Sequence, residues 1–387
     1  MKRVLIFSTA YFPFVGGAEV AIKEISDRLL DYEFDLVTAR MDRSLEKMEK
    51  KGNVNIYRLG IGNARFDKMF LALFGGWFGA RLQKKKKYDC AWSMMASFGG
   101  FATLSFHNRT SIPYLLTLQE GDPIEYILKK VRFVRSWFNR IFTSASGLQA
   151  ISSYLLQWGK DMGFSGNTLE VVPNGVDVSR FTEKFDNKTL DHIRQSFGFS
   201  QESVIVVTAS RLVEKNGVEH IIRALPLLPH SVCLVICGVG HLEKSLQILA
   251  KELKLGNRIK WLGNISHAEL PQILASSDIF IRPSLSEGLG NAFLEAMAVG
   301  LPTIGTRVGG IPDFLEEGKT GFFCEPRNPQ SIAHIVQHVL TLSEQEKKQI
   351  HKNVLQLIQD KYNWEYISRR MNVLFERISK PDLTKQL

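Results

Sequence analysis

At 387 residues, the chain has room for two domains of ordinary size, each able to bury its own core. Hydrophobic residues make up 44% and charged residues 23% of the composition, which excludes a disordered or fibrous protein. Lys and Arg outnumber Asp and Glu by 49 to 39, and the formal charge of +10 favours anionic partners such as nucleotides, phospholipid head groups or nucleic acid.

The N-terminus is predicted to open a β-strand rather than a signal peptide. Lys2 and Arg3 precede an apolar stretch, but Val4–Ser8 has only the length of a strand. The longest other apolar run, Met69–Ala80, is too short to span a bilayer. The four cysteines are scattered without the spacing of a metal site, and we expect them to be reduced. These features predict a cytoplasmic chain with no transmembrane segment.

Strands and helices alternate through the first half of the chain. The first helix follows Gly16–Gly17 and carries apolar residues on one face at helical spacing. Apolar runs predict strands at Arg3–Ser8, Phe34–Thr38, Val54–Tyr57, Cys90–Ser93, Tyr114–Leu118 and Leu148–Ile151. Such alternation implies a parallel sheet with helices on both faces.

A turn-rich segment, Val171–Asp177, is predicted to be a linker to a second alternation. There, strands are predicted at Ser203–Ala209, Cys233–Cys237, Ile259–Leu262, Ile279–Arg282, Thr303–Gly305 and Phe322–Cys324, and helices at Lys188–Phe197, Gly217–Leu228, Leu242–Leu253 and Trp364–Ile378. In doubly wound sheets, ligands bind beyond the carboxyl ends of the strands. We therefore expect the functional residues on the loops that follow the strands.

The most distinctive segment is Ser284–Ala298, in which Glu287 and Glu295 flank a Gly-rich turn. Glu287 is predicted in the loop after a strand, and Glu295 on the helix that follows. The start of that helix favours a diphosphate, and Gly288 and Gly290 let the backbone approach it closely. An ordinary helix start with an acidic first turn is the alternative, and the two glutamates alone favour it.

The stretch from Glu287 to Gly310 resembles glycosyltransferase family 4, whose members have the GT-B fold. Matching motifs lie along nearly the whole chain: Gly16-Gly17-Ala18-Glu19, Val172–Asp177, Arg211-Leu212-Val213, Gly238-Val239-Gly240, Gly263 and Gly318-Lys319-Thr320-Gly321. The resemblance implies an α/β fold of two Rossmann-like domains facing across a cleft. We expect residues 1–175, with a returning C-terminal helix at 363–387, to form the acceptor-side domain, and residues 176–362 to bind the nucleotide sugar.

The resemblance also implies where the donor binds. Glu295 is expected to bind the ribose, Glu287 the sugar, and Arg211 with Lys215 the phosphates. Further donor contacts are expected from Gly238, Gly288, Leu289, Gly290 and Asn291, largely through backbone groups. Cations there stabilise the charge that a departing nucleoside diphosphate gains, although a solvated surface pair is the commoner fate of such residues.

Two positions depart from the family pattern. Asn216 stands where a Lys is usual, so either Lys215 takes that role, which we favour, or Asn216 contributes a neutral donor. Gln119 stands where a His commonly faces the donor sugar, and a Gln can position the donor but cannot transfer protons. The neighbouring Glu120 and Asp122 are interpreted either as a base or electrostatic partner, or as a solvent-exposed acidic turn.

The loop with Gly16 and Gly17 follows the first strand and precedes the first helix. On local grounds, a phosphate cradle and a simple tight turn are equally good interpretations. In the family, this loop contacts the acceptor or the donor diphosphate, and we expect the same here.

Two stretches of the first domain, Lys68–Tyr88 and Tyr126–Lys160, lack acidic residues and interleave cations with aromatic residues. That combination suits a helix lying on an anionic membrane. The alternative is a set of buried aromatic residues beside a solvated basic loop at Lys84–Lys87. Nucleic acid is not expected, because no recognised binding motif accompanies the charge. We predict peripheral attachment to the inner face of the cell membrane, which fits a lipid-linked acceptor.

The resemblance implies a retaining, metal-independent hexosyltransferase that takes its sugar from GDP-mannose or a UDP-hexose and needs no cofactor. Glu287, Arg211, Lys215 and Gln119 are the expected catalytic residues; the histidines, which have no metal spacing, are interpreted as structural or surface residues. The expected acceptor is a glycan or lipid-linked molecule in cell-surface polysaccharide, glycolipid or lipopolysaccharide synthesis. An NAD-dependent oxidoreductase is disfavoured, since no Gly-x-Gly-x-x-Gly follows the first strand. A non-catalytic nucleotide-sugar- or polyanion-binding protein of the same fold stays open.

Overall fold

The computed structural model describes residues 1–380 of the chain. They form two compact units: the first contains Met1–Asn174 and the chain from Trp364 onward, and the second contains Gly175–Asn363. Each unit has one sheet with helices between its strands, which confirms the predicted α/β class. The last helix ends at Ser379, and residues 381–387 of the predicted segment 363–387 lie outside the described residues.

The first sheet has eight strands in the order β3-β4-β2-β1-β5-β6-β7-β8. They are β1 Lys2–Phe7, β2 Tyr32–Ala39, β3 Met48–Lys51, β4 Val54–Leu59, β5 Cys90–Met94, β6 Tyr114–Leu118, β7 Gly147–Ala150 and β8 Thr168–Val171. All neighbours are parallel except β3 and β4, so the predicted parallel sheet gains one antiparallel edge strand. Since β8 includes Val171, the predicted linker begins after that residue.

The second sheet has six parallel strands in the order β11-β10-β9-β12-β13-β14. They are β9 Val204–Ala209, β10 Val232–Cys237, β11 Ile259–Gly263, β12 Ile279–Ile281, β13 Thr303–Gly305 and β14 Phe322–Phe323. The central β10 is buried along its whole length, as a near-continuous apolar run in a parallel sheet should be.

Fifteen α-helices connect or follow these strands within residues 1–380. They are α1 Gly17–Arg28, α2 Ala64–Lys86, α3 Phe98–Thr110, α4 Ile124–Lys130, α5 Arg135–Thr143, α6 Ser153–Asp161, α7 Val178–Phe181, α8 Asn187–Ser196, α9 Val218–Ala224, α10 Glu243–Glu252, α11 Leu270–Ala275, α12 Asn291–Val299, α13 Pro329–Leu340, α14 Glu344–Lys361 and α15 Trp364–Ser379. The helix predicted over Gly217–Leu228 ends at Ala224, because Pro226 cannot donate a backbone hydrogen bond and a 3₁₀ turn follows.

The C-terminal helix α15 completes the core of the first unit. Its Phe375 is fully buried, and the ring lies 5.3 Å from that of Trp92 on β5, centroid to centroid. Trp364 and Met371 belong to the same cluster, together with Phe34 on β2. The spacing of these apolar residues on one helical face explains why the last segment of the chain folds onto the first sheet.

Candidate active site

The second sheet reverses its strand order between β9 and β12. Ligands of doubly wound sheets bind beyond the carboxyl ends of the strands at such a reversal. The loop after β9 carries Arg211 and Lys215, and the loop after β12 carries Glu287. The topology therefore brings the predicted phosphate contacts and the predicted sugar contact to one place in the second unit.

Backbone contacts join these two loops. The N–H of Leu285 donates to the carbonyl oxygen of Lys215 at 2.6 Å. Gly217 has a φ of +69°, and a Cβ added there would lie 2.1 Å from the carbonyl oxygen of Pro283. Only glycine suits both the positive φ and the close approach, so Gly217 sets how near the loops can come.

Asn216 lies in the loop after β9 and hydrogen-bonds to the backbone of the same loop. Its side chain is buried, and its Nδ2 donates to the carbonyl oxygen of Arg211 at 2.7 Å. The amide thereby stabilises the loop that carries Arg211. Arg211 is exposed, and within residues 1–380 its guanidinium forms no ion pair. An uncompensated cation at this position suits an anionic ligand.

A buried arginine holds Glu287. Arg282 Nη2 donates to Glu287 Oε2, and the two side chains are only 8% and 14% exposed. The Arg282 guanidinium also lies 4.6 Å from the ring centroid of Phe293, and the Gly288 N–H donates to Glu287 Oε1 at 3.2 Å. The sequence placed Arg282 only at the end of a strand. The one sequence feature that could have indicated its role is a cation directly after an apolar run.

Helix α12 begins immediately after this turn, and no side-chain hydrogen bond caps it. Its N-cap, Gly290, has a φ of +97°, and a Cβ there would lie 2.9 Å from Arg282 Nη2. Leu289, predicted as a donor contact, is buried. The start of a helix carries backbone N–H groups and partial positive charge, which suit an anion.

Glu295 lies nearly buried on α12 and is engaged by a histidine. Its Oε1 accepts a hydrogen bond from His267 Nε2 at 2.9 Å, and His267 Nδ1 lies 2.9 Å from Arg180 Nη1. A guanidinium only donates, so in the neutral ring Nδ1 is the acceptor and the proton is on Nε2. His267 is thus a partly exposed residue whose hydrogen bond helps to hold Glu295. Nothing in its spacing pointed to Glu295.

The pair of His267 and Glu295 makes the free energy of unfolding depend on pH. The hydrogen bond from His267 to Glu295 raises the pKa of His267 above 6.5. A pKa raised in the folded state stabilises the protein below pH 6.5, and that contribution is lost as the pH rises through the folded-state value. We expect His267→Gln to lower the free energy of unfolding more at about pH 5.5 than at about pH 8.5. The difference should stay below about 1 kcal/mol, because the ring is 42% exposed.

Urea unfolding at the two pH values measures this effect. As a control, His267→Gln is introduced into the Glu295→Gln protein. There, the additional loss of unfolding free energy at low pH should disappear. An equal pH dependence in both backgrounds would show that His267 is not coupled to Glu295.

Gly238, predicted as a donor contact, packs the loop after β10 against the loop after β9. Its φ is +137°, and a Cβ added there would lie 1.8 Å from the carbonyl oxygen of Ser210. Its N–H donates to the carbonyl oxygen of Gly263 at 2.6 Å. Gly238 therefore shapes the loop that carries Arg211.

In the first unit, the strand order reverses between β1 and β5, and the loop after β1 carries Gly16 and Gly17. Gly16 is the extended N-cap of α1, and both glycines are exposed. The Gly16 N–H bonds the carboxylate of Glu19, while burial raises the pKa of that carboxyl. A carboxylate at this helix start disfavours a phosphate there, so the loop suits an uncharged part of a ligand better.

The loop after β6 carries Gln119, Glu120 and Asp122. Gln119 Oε1 accepts from Asn174 Nδ2 at 3.1 Å. Glu120 is 6% exposed, and its carboxylate accepts from the N–H groups of Ala96 at 2.7 Å and Gln119 at 2.9 Å. Asp122 is exposed. A solvent-exposed acidic turn therefore describes Asp122 and is wrong for Glu120.

Burial raises the pKa of Glu120 from 4.5 to about 7. A carboxyl with a folded-state pKa above its unfolded value destabilises the protein as it ionises. Relative to Glu120→Gln, wild type should therefore lose up to about 3 kcal/mol of unfolding free energy between about pH 4.5 and about pH 7, with no further loss above. Denaturant unfolding of both proteins across this range tests the expectation. A pH-independent difference would contradict it.

Several other features of residues 1–380 bear on the chemistry. Within that range, no three His, Cys, Asp or Glu side chains are grouped to hold a metal ion. No helix in it has the length and apolarity to cross a bilayer. The four cysteines are buried and form no disulfide, and burial raises the pKa of Cys90, Cys237 and Cys324 to about 12. Such thiols are poor nucleophiles at neutral pH.

Two family models match the chain in succession. The model of Glycosyltransferase Family 4 matches residues 15–180, and that of Glycosyl transferases group 1 matches residues 190–355. The first match contains Gly16 and Gln119, and the second contains Arg211, Glu287 and Glu295. Both predicted regions of the site thus lie within matched sequence.

Similar sequences include other glycosyltransferases. An uncharacterized glycosyltransferase of Methanocaldococcus jannaschii is 25% identical over 376 residues, covering 97% of this chain and 98% of that protein. The GDP-mannose-dependent monoacylated alpha-(1-6)-phosphatidylinositol monomannoside mannosyltransferase of Corynebacterium glutamicum is 31% identical over 218 residues, covering 53% of this chain and 56% of that protein. The match therefore spans only about half the length of the second relative.

Solved structures share the fold at low sequence identity. Sucrose-phosphate synthase from Thermosynechococcus elongatus superimposes with a TM-score of 0.84 at 18% identity, covering 97% of this chain and 99% of that one. Anabaena HepE in complex with UDP and glucose gives 0.79 at 20% identity, covering 97% and 100%. These likenesses confirm the GT-B fold. The two consecutive family matches establish that the chain belongs to glycosyltransferase family 4.

Proposed function

We propose that the second unit holds a nucleoside-diphosphate sugar, whose hexose is transferred to a glycan or lipid-linked acceptor. The observation that carries this proposal is the grouping of Arg211, Glu287 and the start of α12 at the strand-order reversal of the second sheet. The cation and the helix N–H groups suit the diphosphate. Glu287 suits the sugar hydroxyls, and Glu295 the ribose.

The nature of the donor is supported by two relatives. The corynebacterial mannosyltransferase is named as GDP-mannose-dependent, and the HepE structure contains UDP and glucose. We therefore propose GDP-mannose or a UDP-hexose as the donor of this chain.

The proposed transfer retains the anomeric configuration. The bond between the anomeric carbon and the leaving phosphate breaks, and the acceptor hydroxyl forms the new bond on the same face of the sugar. The departing phosphate accepts the hydroxyl proton, so no protein nucleophile is needed. Arg211 and Lys215 stabilise the diphosphate without a metal ion, and Gln119 positions groups by hydrogen bonds rather than by proton transfer.

We place this activity at the cytoplasmic face of a membrane, in the synthesis of a cell-surface polysaccharide, glycolipid or lipopolysaccharide. The net charge of +10 supports attraction to anionic lipid. Side chains on α2 and α5 that are both apolar and exposed, such as Phe74 at 48% and Trp137 at 39%, support contact with the membrane interface.

A panel of nucleotide sugars, with EDTA present and no acceptor, tests the proposal. We expect one donor to raise the thermal unfolding midpoint and to release its nucleotide slowly, with release lost in Glu287→Ala. Binding without release, even with candidate acceptors, would favour a non-catalytic binding protein. No shift with any donor, in folded protein, would contradict the donor site.

A further inference from the structure

The first unit contains an apolar pocket of about 480 Å³ that the proposed donor chemistry does not use. It is lined by α2, α3, α4, α5 and the loop after β6, all within one unit. Its walls include Met69, Leu73, Met95, Phe101, Val134 and Trp137. A cavity of this size and lining falls within the range that accommodates small ligands.

The walls of this pocket continue into an exposed apolar surface. Leu73 is 51% exposed and Val134 41%, although both line the pocket. Phe133, next to Val134 in the chain, is 85% exposed, and Met69 is 52% exposed. A contiguous group of such side chains is costly in water and commonly marks a binding surface.

One cation lines the pocket, and others lie close to it in the sequence. Lys130 lines the pocket, and its Nζ lies 4.1 Å from the ring centroid of Tyr126. Lys129, Arg132 and Arg135 lie in the same segment of the sequence, and residues 126–160 contain no Asp or Glu. An apolar pocket with Lys130 in its lining and a basic segment beside it in the sequence is complementary to a molecule with a hydrocarbon chain and an anionic head group.

The pocket also reaches the loop that holds the predicted acceptor-side residues. Glu120, Gly121 and Asp122 belong to its lining. Carboxylates accept hydrogen bonds from hydroxyl groups. A molecule whose chain fills the pocket would therefore bring its hydroxyl-bearing head group to this loop.

We propose that this pocket binds the hydrocarbon chain of an anionic membrane lipid that serves as the acceptor, with the lipid phosphate near Lys130. This inference rests on the proposed transferase function and adds the chemical class of the acceptor. The exposed side chains around the pocket would lie in the membrane interface. The hydrocarbon chain of the lipid would leave the bilayer and enter the pocket.

Photocrosslinking tests this proposal on the full chain. Vesicles of phosphatidylglycerol carrying a diazirine in the acyl chain are irradiated with the protein, and labelled peptides are identified by mass spectrometry. We expect labels on pocket residues such as Leu73 and Val134. Ala72→Phe, which places a ring in the pocket, should lower that labelling at least about tenfold. Val131→Trp is a second filling variant if the first does not fold.

Ile248→Phe on α10 of the second unit is the matched control, because Ile248 is 59% exposed and far along the chain from the pocket. It should leave the labelling unchanged. Labels confined to outward side chains such as Phe133, equally strong in the filling variants, would overturn the proposal in favour of surface contact alone. Equal labelling in phosphatidylcholine vesicles would overturn the claim that the lipid must have an anionic head group.

Failure of this proposal can be told apart from failure of the proposed function. The filling variants should still bind and slowly hydrolyse the nucleotide sugar, since the residues proposed to hold its diphosphate, ribose and sugar (Arg211, Glu295 and Glu287) lie in the second unit. Loss of pocket labelling with donor hydrolysis intact is the expected result. If the wild type hydrolyses the donor but shows no pocket labelling, the lipid-binding proposal is wrong and the proposed transferase function stands.

Discussion

Arg211→Ala is expected to slow release of nucleotide from the donor by about 10²–10³-fold. The guanidinium stands exposed after β9, beside the loop that holds Glu287, where it can stabilise the charge of the departing diphosphate. Its side chain forms no ion pair within residues 1–380. The thermal unfolding midpoint should therefore stay unchanged, which separates a loss of chemistry from a loss of fold. Nucleotide release at saturating donor measures the effect.

Arg223→Ala is the matched control for this change. Arg223 is also an exposed arginine of the second unit, but it pairs with Glu219 on α9 at 2.8 Å. Its removal should leave the release rate within about twofold of wild type, because exposed pairs contribute little. A similar loss in both variants would mean that the overall positive charge, rather than Arg211 itself, supports the reaction.

Arg282→Met is expected to lower the free energy of unfolding by about 3–5 kcal/mol at neutral pH. Removing the guanidinium leaves the Glu287 carboxylate nearly buried without its partner, and the contact with the Phe293 ring is lost as well. Because Glu287 would no longer be held in place, donor turnover should also fall. Denaturant unfolding monitored by far-UV circular dichroism gives the stability, and nucleotide release gives the turnover.

The double variant Arg282→Met/Glu287→Leu separates these two consequences. With both charges removed, most of the lost stability should return, since a buried pair can often be replaced by apolar residues without loss. Turnover should not return, because the proposed sugar contact is gone. A double variant as unstable as Arg282→Met would show that the pair is not the source of the destabilisation.

The fold and the location of the donor loops could be predicted from the sequence because both depend on local patterns. Buried parallel strands such as β10 and β6 are short apolar runs, which are visible without any knowledge of their neighbours. Arg211 and Glu287 lie in the loops that follow two such runs, β9 and β12. Once the strands are placed, their loops must meet at the carboxyl edge of the sheet.

What could not be predicted depends on contacts between distant residues. The bond between His267 and Glu295 joins residues 28 positions apart, and no periodic pattern encodes it. Edge strand β3 is the exposed sequence Met-Glu-Lys-Lys, which lacks the apolar residues that mark a strand. The burial of Glu120 likewise arises from the packing around it, since Glu120 and the exposed Asp122 look alike in sequence.

A crystal structure with a bound nucleoside diphosphate is the most direct test of the central claim, the donor site in the second unit. We predict the diphosphate against Arg211 and the backbone N–H groups at Gly290 and Asn291, with the ribose hydroxyls on Glu295. A nucleotide bound elsewhere, for example at Gly16–Gly17 of the first unit, with Arg211 facing only solvent, would contradict the account.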